Sequence, residues 1–139
     1  MGDPPRKDKT EMVALFFLLF VGLELKHYVA DYFLQPGWML AGKGDFRRIG
    51  GYAHAGAHAL LTALVLLLAG VPLNWIAGIV FVEFVIHYVL DYAKIAYSRG
   101  VHVDTQPQRF WGLHGLDQIF HQLTYGAIIY LALMSKGLV

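Results

Sequence analysis

Not one cysteine occurs in the 139 residues. That excludes disulfides, thiolate metal sites and c-type haem attachment. Charge is scarce as well. Asp, Glu, Lys and Arg together make up 15% of the chain, where a soluble domain carries roughly 25%. The formal net charge is +1, so there is no basic surface of the kind that nucleic-acid binding requires. What fills the chain is apolar: 57% of residues are hydrophobic and 14% aromatic, with a mean hydropathy of +0.49. The deficit of charge points to lipid, rather than water, as the surrounding solvent.

A polar tail, MGDPPRKDKT (1–10), precedes a single domain over 11–139 that holds four apolar runs. The first, MVALFFLLFVGLELKHYVADYFL (12–34), ends at Gln35-Pro36-Gly37. Glu24-Leu25-Lys26-His27 stands where a secretory leader would have small residues for cleavage, so this run is expected to stay in the mature chain. The second runs from about His54 to Gly70, followed by the short turn Val71-Pro72-Leu73. The third runs from Leu73 to about Tyr97, and a polar loop containing Pro107 separates it from the fourth, about Leu116 to Leu133. Crossing a bilayer takes about 20 residues. Stretches such as ALLTALVLLLAG (59–70) are apolar all round, which argues against a water-soluble bundle. The expected fold is all-α: a four-helix transmembrane bundle, built from two helical hairpins related as parallel repeats.

Four spans joined by loops alternate in direction. The first and third then end on the face where the second and fourth begin. That face, the site face, carries Lys43, Arg47, Arg48, Arg99 and Arg109 against Arg6, Lys7, Lys9 and Lys136 on the other. Positive charge favours the cytoplasm, so the count of five to four turns the site face inward in a multi-pass protein of the cell inner membrane. Tyr28, Tyr32, Trp38, Tyr88, Tyr92, Phe110 and Trp111 crowd the same end, as an interfacial aromatic belt does.

Polar residues inside the spans follow a pattern. HYVADY (27–32) returns as HYVLDY (87–92). The first helix contributes His27 and Asp31, the second His54 and His58, the third His87 and Asp91, the fourth Asp117 and His121. Each pair is spaced i, i+4, so both members share one helical face. Helix direction sorts them into a deep layer, His27, His58, His87 and His121, and a shallow layer, Asp31, His54, Asp91 and Asp117, one turn apart. Imidazole and carboxylate together suit a divalent transition metal such as zinc, iron or manganese. Eight donors exceed one tetrahedral ion, and two ions about 3.5–4 Å apart use them better. The related design is the carboxylate helix bundle, with paired ligands projecting inward. A structural polar network and a proton or ion pathway are the competing readings of the same groups, but unpaired ionisable groups in a span are costly.

Glu24 and Glu83 repeat one turn deeper. Each is a candidate metal ligand, acceptor for a histidine N–H, or general base beside a metal-bound water; a protonated, hydrogen-bonded glutamate is the plain alternative. Lys94, Gln35, Lys43 and Gln118 flank the constellation and are candidates for positioning substrate, although a lysine at Lys94 can simply snorkel. His102 and His114 in the last loop read as ordinary surface histidines.

HYVADYFLQ with Met39 and Lys43, then HAGAH, HYVLDYAK and LDQIFH, in this order and spacing, resemble the domain-of-unknown-function 3307 family of small bacterial inner-membrane proteins over about residues 24–125. More distantly, the chain is similar to membrane-bound metal-dependent hydrolases that share intramembrane HxxxH and HxxxD pairs. The resemblance implies a membrane metal site and a bacterial origin; it implies no substrate.

The expected function is therefore a dinuclear metal-dependent hydrolase acting at the bilayer interface on a lipid-linked ester or phosphoester, with membrane lipid or a lipid-linked small molecule as partner. A homo-oligomer is compatible with such a bundle. The first alternative is a non-enzymatic metal or ion transporter, sensor or storage module. Against a continuous channel, the other half of the spans is lined by residues such as Leu15, Phe16, Leu66, Leu67 and the stretch Ile128–Leu133. Di-iron oxidation ranks third, since only HAGAH has the HxxxH form. Bis-histidine haem ranks lower, because three aspartates crowd the site.

Overall fold

The computed structural model describes residues 6–139, with side chains from residue 9 onward. Five helices follow one another: α1 (Arg6–Tyr32), α2 (Gly37–Gly42), α3 (Ile49–Leu68), α4 (Leu73–Ser98) and α5 (Pro107–Ser135), with no strand among the described residues. Each expected run falls on one long helix, the first and second overrunning α1 and α3 by two residues. The count is five rather than four, because the segment after the first run folds into α2. Gln35-Pro36-Gly37 does stop α1, but it also starts a new helix. Pro36 is extended, with ψ 161°, and its carbonyl accepts from Met39 N at 2.9 Å.

Two boundaries also move. α1 reaches back to Arg6, so Arg6–Thr10 of the polar tail is helical; the rest of the tail, 1–5, lies outside the described residues. α5 starts at Pro107, which sequence assigns to a loop. Proline suits the first helical turn, where an amide N–H has no partner to lose.

α1 packs on α3 and α5, and α4 packs on the same two, so the four long helices close a ring; α2 lies against α3. Glycines set that last contact. A Cβ on Gly42 would stand 2.7 Å from Gly50 Cα, and one on Gly50 would stand 2.5 Å from Trp38 O. The tight α3–α4 turn uses Gly70 at φ +67°, with Val71 N donating to Leu66 O and Gly70 N to Leu67 O, both at 3.0 Å. This left-handed glycine closure satisfies the last carbonyls of α3. Lys136 Nζ, from the end of α5, donates to Ala69 O and Gly70 O at 3.1 Å and ties the turn down.

The interior has two halves. Toward the α3–α4 turn it is apolar, built on Leu19, Leu23, Leu66, Ile79, Ile128 and Leu133. Leu66 and much of Ile128–Leu133 belong to it, whereas Phe16 and Leu67 face outward. The other half is polar: Lys26, Lys43, His54, His58, Thr62, Glu83, His87, Asp91, Asp117 and His121 are all buried. The outside reverses this, with Leu60 and Leu68 more than 70% exposed and Phe81 at 69%. Water does not favour a greasy exterior around a charged interior; lipid does.

Among the described residues, three helices are long and apolar enough to cross a membrane: Lys9–Tyr32, Ile49–Leu68 and Leu73–Ser98. α5 is not among them. Its first half carries Arg109, His114, Asp117, Gln118, His121 and Gln122, which dilute the apolar run that follows.

Candidate metal centre

The i, i+4 spacing does what helical geometry requires. On α1, His27 Nε2 lies 3.2 Å from Asp31 Oδ2. On α4, His87 Nε2 lies 3.6 Å from Asp91 Oδ2, and on α5 His121 Nε2 lies 3.3 Å from Asp117 Oδ1. On α3 the rings of His54 and His58 are 4.6 Å apart. Packing then joins the helices. The rings of His27, His58, His87 and His121 form a closed circuit, with neighbouring centroids at 5.3 Å (His27–His58), 3.8 Å (His58–His87), 4.3 Å (His87–His121) and 5.5 Å (His121–His27). All eight proposed ligands thus come together at one end of the helix ring.

Their Nε2 atoms point at carboxylates. Asp31 meets His58 at 3.1 Å, His27 at 3.2 Å and His54 at 3.3 Å. Asp91 meets His54 at 3.4 Å, and His87 and His121 at 3.6 Å. The contacts to Asp91 are longer than an N–H···O bond, which spans 2.7–3.2 Å. They match the roughly 3.3–3.6 Å edge between two donors of one tetrahedral ion with bonds of 2.0–2.2 Å. Two buried triads, His54/His58/His87 and His87/Asp91/His121, bring their donor atoms within 4.8 Å of one another and are spaced to hold a metal.

Unsatisfied atoms tell the same story. Both ring nitrogens of His54 and of His87 lack a hydrogen-bond partner, as do His27 Nε2 and Asp117 Oδ1. Leaving a buried polar group unpaired costs about 1–3 kcal/mol. A cation among them satisfies several at once.

The backs of two imidazoles are held by residues that sequence reasoning passed over. His27 Nδ1 lies 2.6 Å from the Tyr125 hydroxyl, the outer contact that orients a metal-binding imidazole. His58 Nδ1 lies 3.3 Å from Lys26 Nζ. Lys26 is itself buried, donating to Glu83 Oε1 at 2.6 Å and sitting 4.4 Å over the Tyr125 ring. Thr62 Oγ1 donates to the same Glu83 oxygen at 2.9 Å. The signal for Lys26 was present: Leu19, Leu23, Lys26 and Ala30 are the buried stripe of α1, in the 3-and-4 spacing of a core-facing face.

The two glutamates are not equivalent. Glu83 is fully buried and stands behind His58 through Lys26. Glu24 lines a separate groove between α1 and α5, beside Phe20 and Gln122. The flanking residues converge. Gln35, Lys43, Lys94 and Gln118 line a cavity of about 230 Å3 above the three aspartates, and His114 joins them. Lys43 pairs with Asp91 at 2.9 Å and Lys94 with Asp117 at 2.7 Å. Gln118 Nε2 donates to Asp117 Oδ2 at 3.2 Å, and Gln35 Nε2 donates to the Asp31 carbonyl at 3.2 Å. His114 is therefore at the mouth of the site, while His102 is an exposed loop residue.

One family model matches the chain, that of "Protein of unknown function (DUF3307)", over residues 15–138. No curated protein and no solved structure matches it.

Proposed function

We propose that this chain, which belongs to the DUF3307 family of unknown function, is a membrane-embedded metalloprotein with two divalent ions, and that it hydrolyses a lipid-linked ester or phosphoester. The observation that carries this is the convergence of five imidazole Nε2 atoms on Asp31 and Asp91 in a buried site, with both nitrogens of His87 unpartnered. In this reading α5 is the fourth crossing. Of its polar half, Asp117 and His121 are buried in the helix ring while Arg109 and Gln122 stay exposed, and together they keep composition alone from marking it as a span.

His27, Asp31, His54 and His58 would hold one ion and His87, Asp91, Asp117 and His121 the other, with His87 also within reach of His54 and His58. Zinc, iron and manganese all fit such a donor set. Bound metal supplies a water of lowered pKa and a Lewis acid for the substrate oxygen. Lys43 and Lys94 are the cations of the mouth. With Asp91 and Asp117 engaged by a metal, Lys43 and Lys94 would be left to pair with an anionic head group in the cavity. Of the two glutamates, Glu83 is the better placed to act, through Lys26 on His58.

Elemental analysis of protein purified in detergent is expected to find one to two equivalents of a transition metal, and less than about half an equivalent overturns the reading. Glu83→Gln is expected to keep the metal and lose turnover on ester and phosphoester lipids, while Glu24→Gln keeps both. Metal flux into liposomes with no turnover on any lipid would instead favour a transporter. The apolar half of the interior argues against that outcome.

A further inference from the structure

Metal changes what the mouth cavity can bind. Asp31, Asp91 and Asp117 form its floor, and Lys43 and Lys94 stand on its walls. Without metal both ammonium groups are spent, Lys43 on Asp91 at 2.9 Å and Lys94 on Asp117 at 2.7 Å. Carboxylates also outnumber cations in the lining, so an anion finds no free partner there. Two divalent ions bring more positive charge than the three carboxylates hold, and they take the aspartates from the lysines. The remaining polar groups of the lining, Tyr32, Gln35, His114 and Gln118, add no carboxylate.

The two ammonium groups flank one point. Asp91 Oδ1 lies 3.6 Å and Asp117 Oδ1 3.3 Å from the same atom, His121 Nε2. Lys43 holds the other oxygen of Asp91, and Lys94 the other oxygen of Asp117. A ligand group over His121 therefore meets a cation on either side and the metal layer below. Lys43 is buried, and a buried charge that loses its partner is costly. A neutral carboxylic ester brings no charge to offset that, and a carboxylate brings one charge on two oxygens. A phosphomonoester brings close to two negative charges on three free oxygens, one for each of the three positive directions. The cavity, about 230 Å3, is smaller than the roughly 300–1,000 Å3 of pockets that enclose a drug-sized ligand, so it takes a head group and not a whole lipid. Tyr32 and Leu40, 72% and 50% exposed, are the outer part of its lining.

We propose that the mouth is a metal-conditional seat for a phosphomonoester, its three free oxygens shared among Lys43, Lys94 and the ions beneath. This narrows the ester or phosphoester of the metal-hydrolase reading; it rests on the metal of that reading and not on hydrolysis. The phosphoryl group belongs to a lipid or to a soluble molecule, since both offer the same oxygens.

The test is binding of radiolabelled inorganic phosphate to the full chain in detergent, with zinc bound and after chelation. Saturable binding is expected only with zinc. Lys43→Met and Lys94→Met are each expected to lower phosphate affinity at least tenfold while holding zinc at least as tightly, because each removes the metal's competitor for an aspartate. General damage to the fold would lower both affinities together. Lys94, 29% exposed at the side chain, is the milder site, and it decides the matter if Lys43→Met does not fold. Displacement of phosphate at least tenfold better by lysophosphatidic acid than by glycerol phosphate assigns the seat to a lipid, and equal displacement assigns it to a soluble phosphomonoester. Phosphate bound equally well after chelation, unaffected by both substitutions, or displaced as well by monoacylglycerol as by lysophosphatidic acid, overturns the seat. Zinc bound without phosphate affinity overturns the seat and leaves the metal reading standing, whereas absence of zinc binding removes both. A phosphomonoester that binds and is never cleaved leaves the seat standing and the hydrolase fallen.

Discussion

Lys26 is the residue on which the buried polar end turns. Its ammonium and the Glu83 carboxylate are 3% and 1% exposed at the side chain, and each is the other's counter-charge. Breaking a buried pair from one side is far more damaging than removing both partners. Lys26→Met is therefore expected to cost about 3–5 kcal/mol, read from denaturant unfolding in detergent. Lys26→Met combined with Glu83→Leu is expected to recover most of that loss. A single-substitution cost under about 1 kcal/mol would show that the pair carries no such burden. The histidines and aspartates could be found in one dimension because they recur at i, i+4 with matching letters. Lys26 could not be found that way, since it has no repeated counterpart at Ile86, and its role exists only once Glu83 arrives from another helix.

At the level of elements, α2 is the piece that run lengths did not announce. Its six residues are too few for a bilayer signal, and its placement depends on glycines eight residues away. Gly42, Gly50 and Gly51 let it lie against the start of α3, and the chain leaving α2 delivers Lys43 to Asp91. A side chain at Gly50 meets the backbone of Trp38 and Met39 at 2.5–3.0 Å, which no rotamer change relieves. Gly50→Leu is expected to lower stability by about 1–3 kcal/mol through overpacking and to push α2 off α3. In the same protein a cysteine placed at Trp38 should then label faster with an aqueous maleimide. Unchanged stability and labelling would remove α2 from the architecture of the mouth. The turn at Gly70 is the opposite case. Val71-Pro72 after an apolar run is readable as a break, and the fold puts a left-handed glycine there.

For the whole molecule, the question is how many helices cross. Three qualify by length and composition, and α5 makes the fourth only if its polar half is sheltered by its neighbours. The absence of cysteine makes a direct test simple, because each introduced thiol is the only one. Arg47→Cys and Asp104→Cys are expected to react with an impermeant maleimide from one side, the cytoplasmic side by the charge count. Leu73→Cys and Val139→Cys are expected to react from the other. If Val139→Cys reacts together with Asp104→Cys, α5 does not cross, and the ring of four helices sits otherwise in the bilayer.

Composition and periodicity were enough to establish helices and an apolar exterior and to pick out the histidines and aspartates that gather at one end, because these depend on near neighbours along the chain. An imidazole and a carboxylate four residues apart must share a face whatever the rest of the protein does. Partnership is different. That Asp31 gathers three imidazoles, that Lys43 and Lys94 neutralise the other two aspartates, and that Glu83 and Glu24 part ways were decided by packing, since the groups come from helices 20 to 100 residues apart and their distances are set by how those helices meet. The cavity between α4 and α5 beside Glu83 belongs to the same class: a cavity is a property of two surfaces, and no single stretch of sequence contains it.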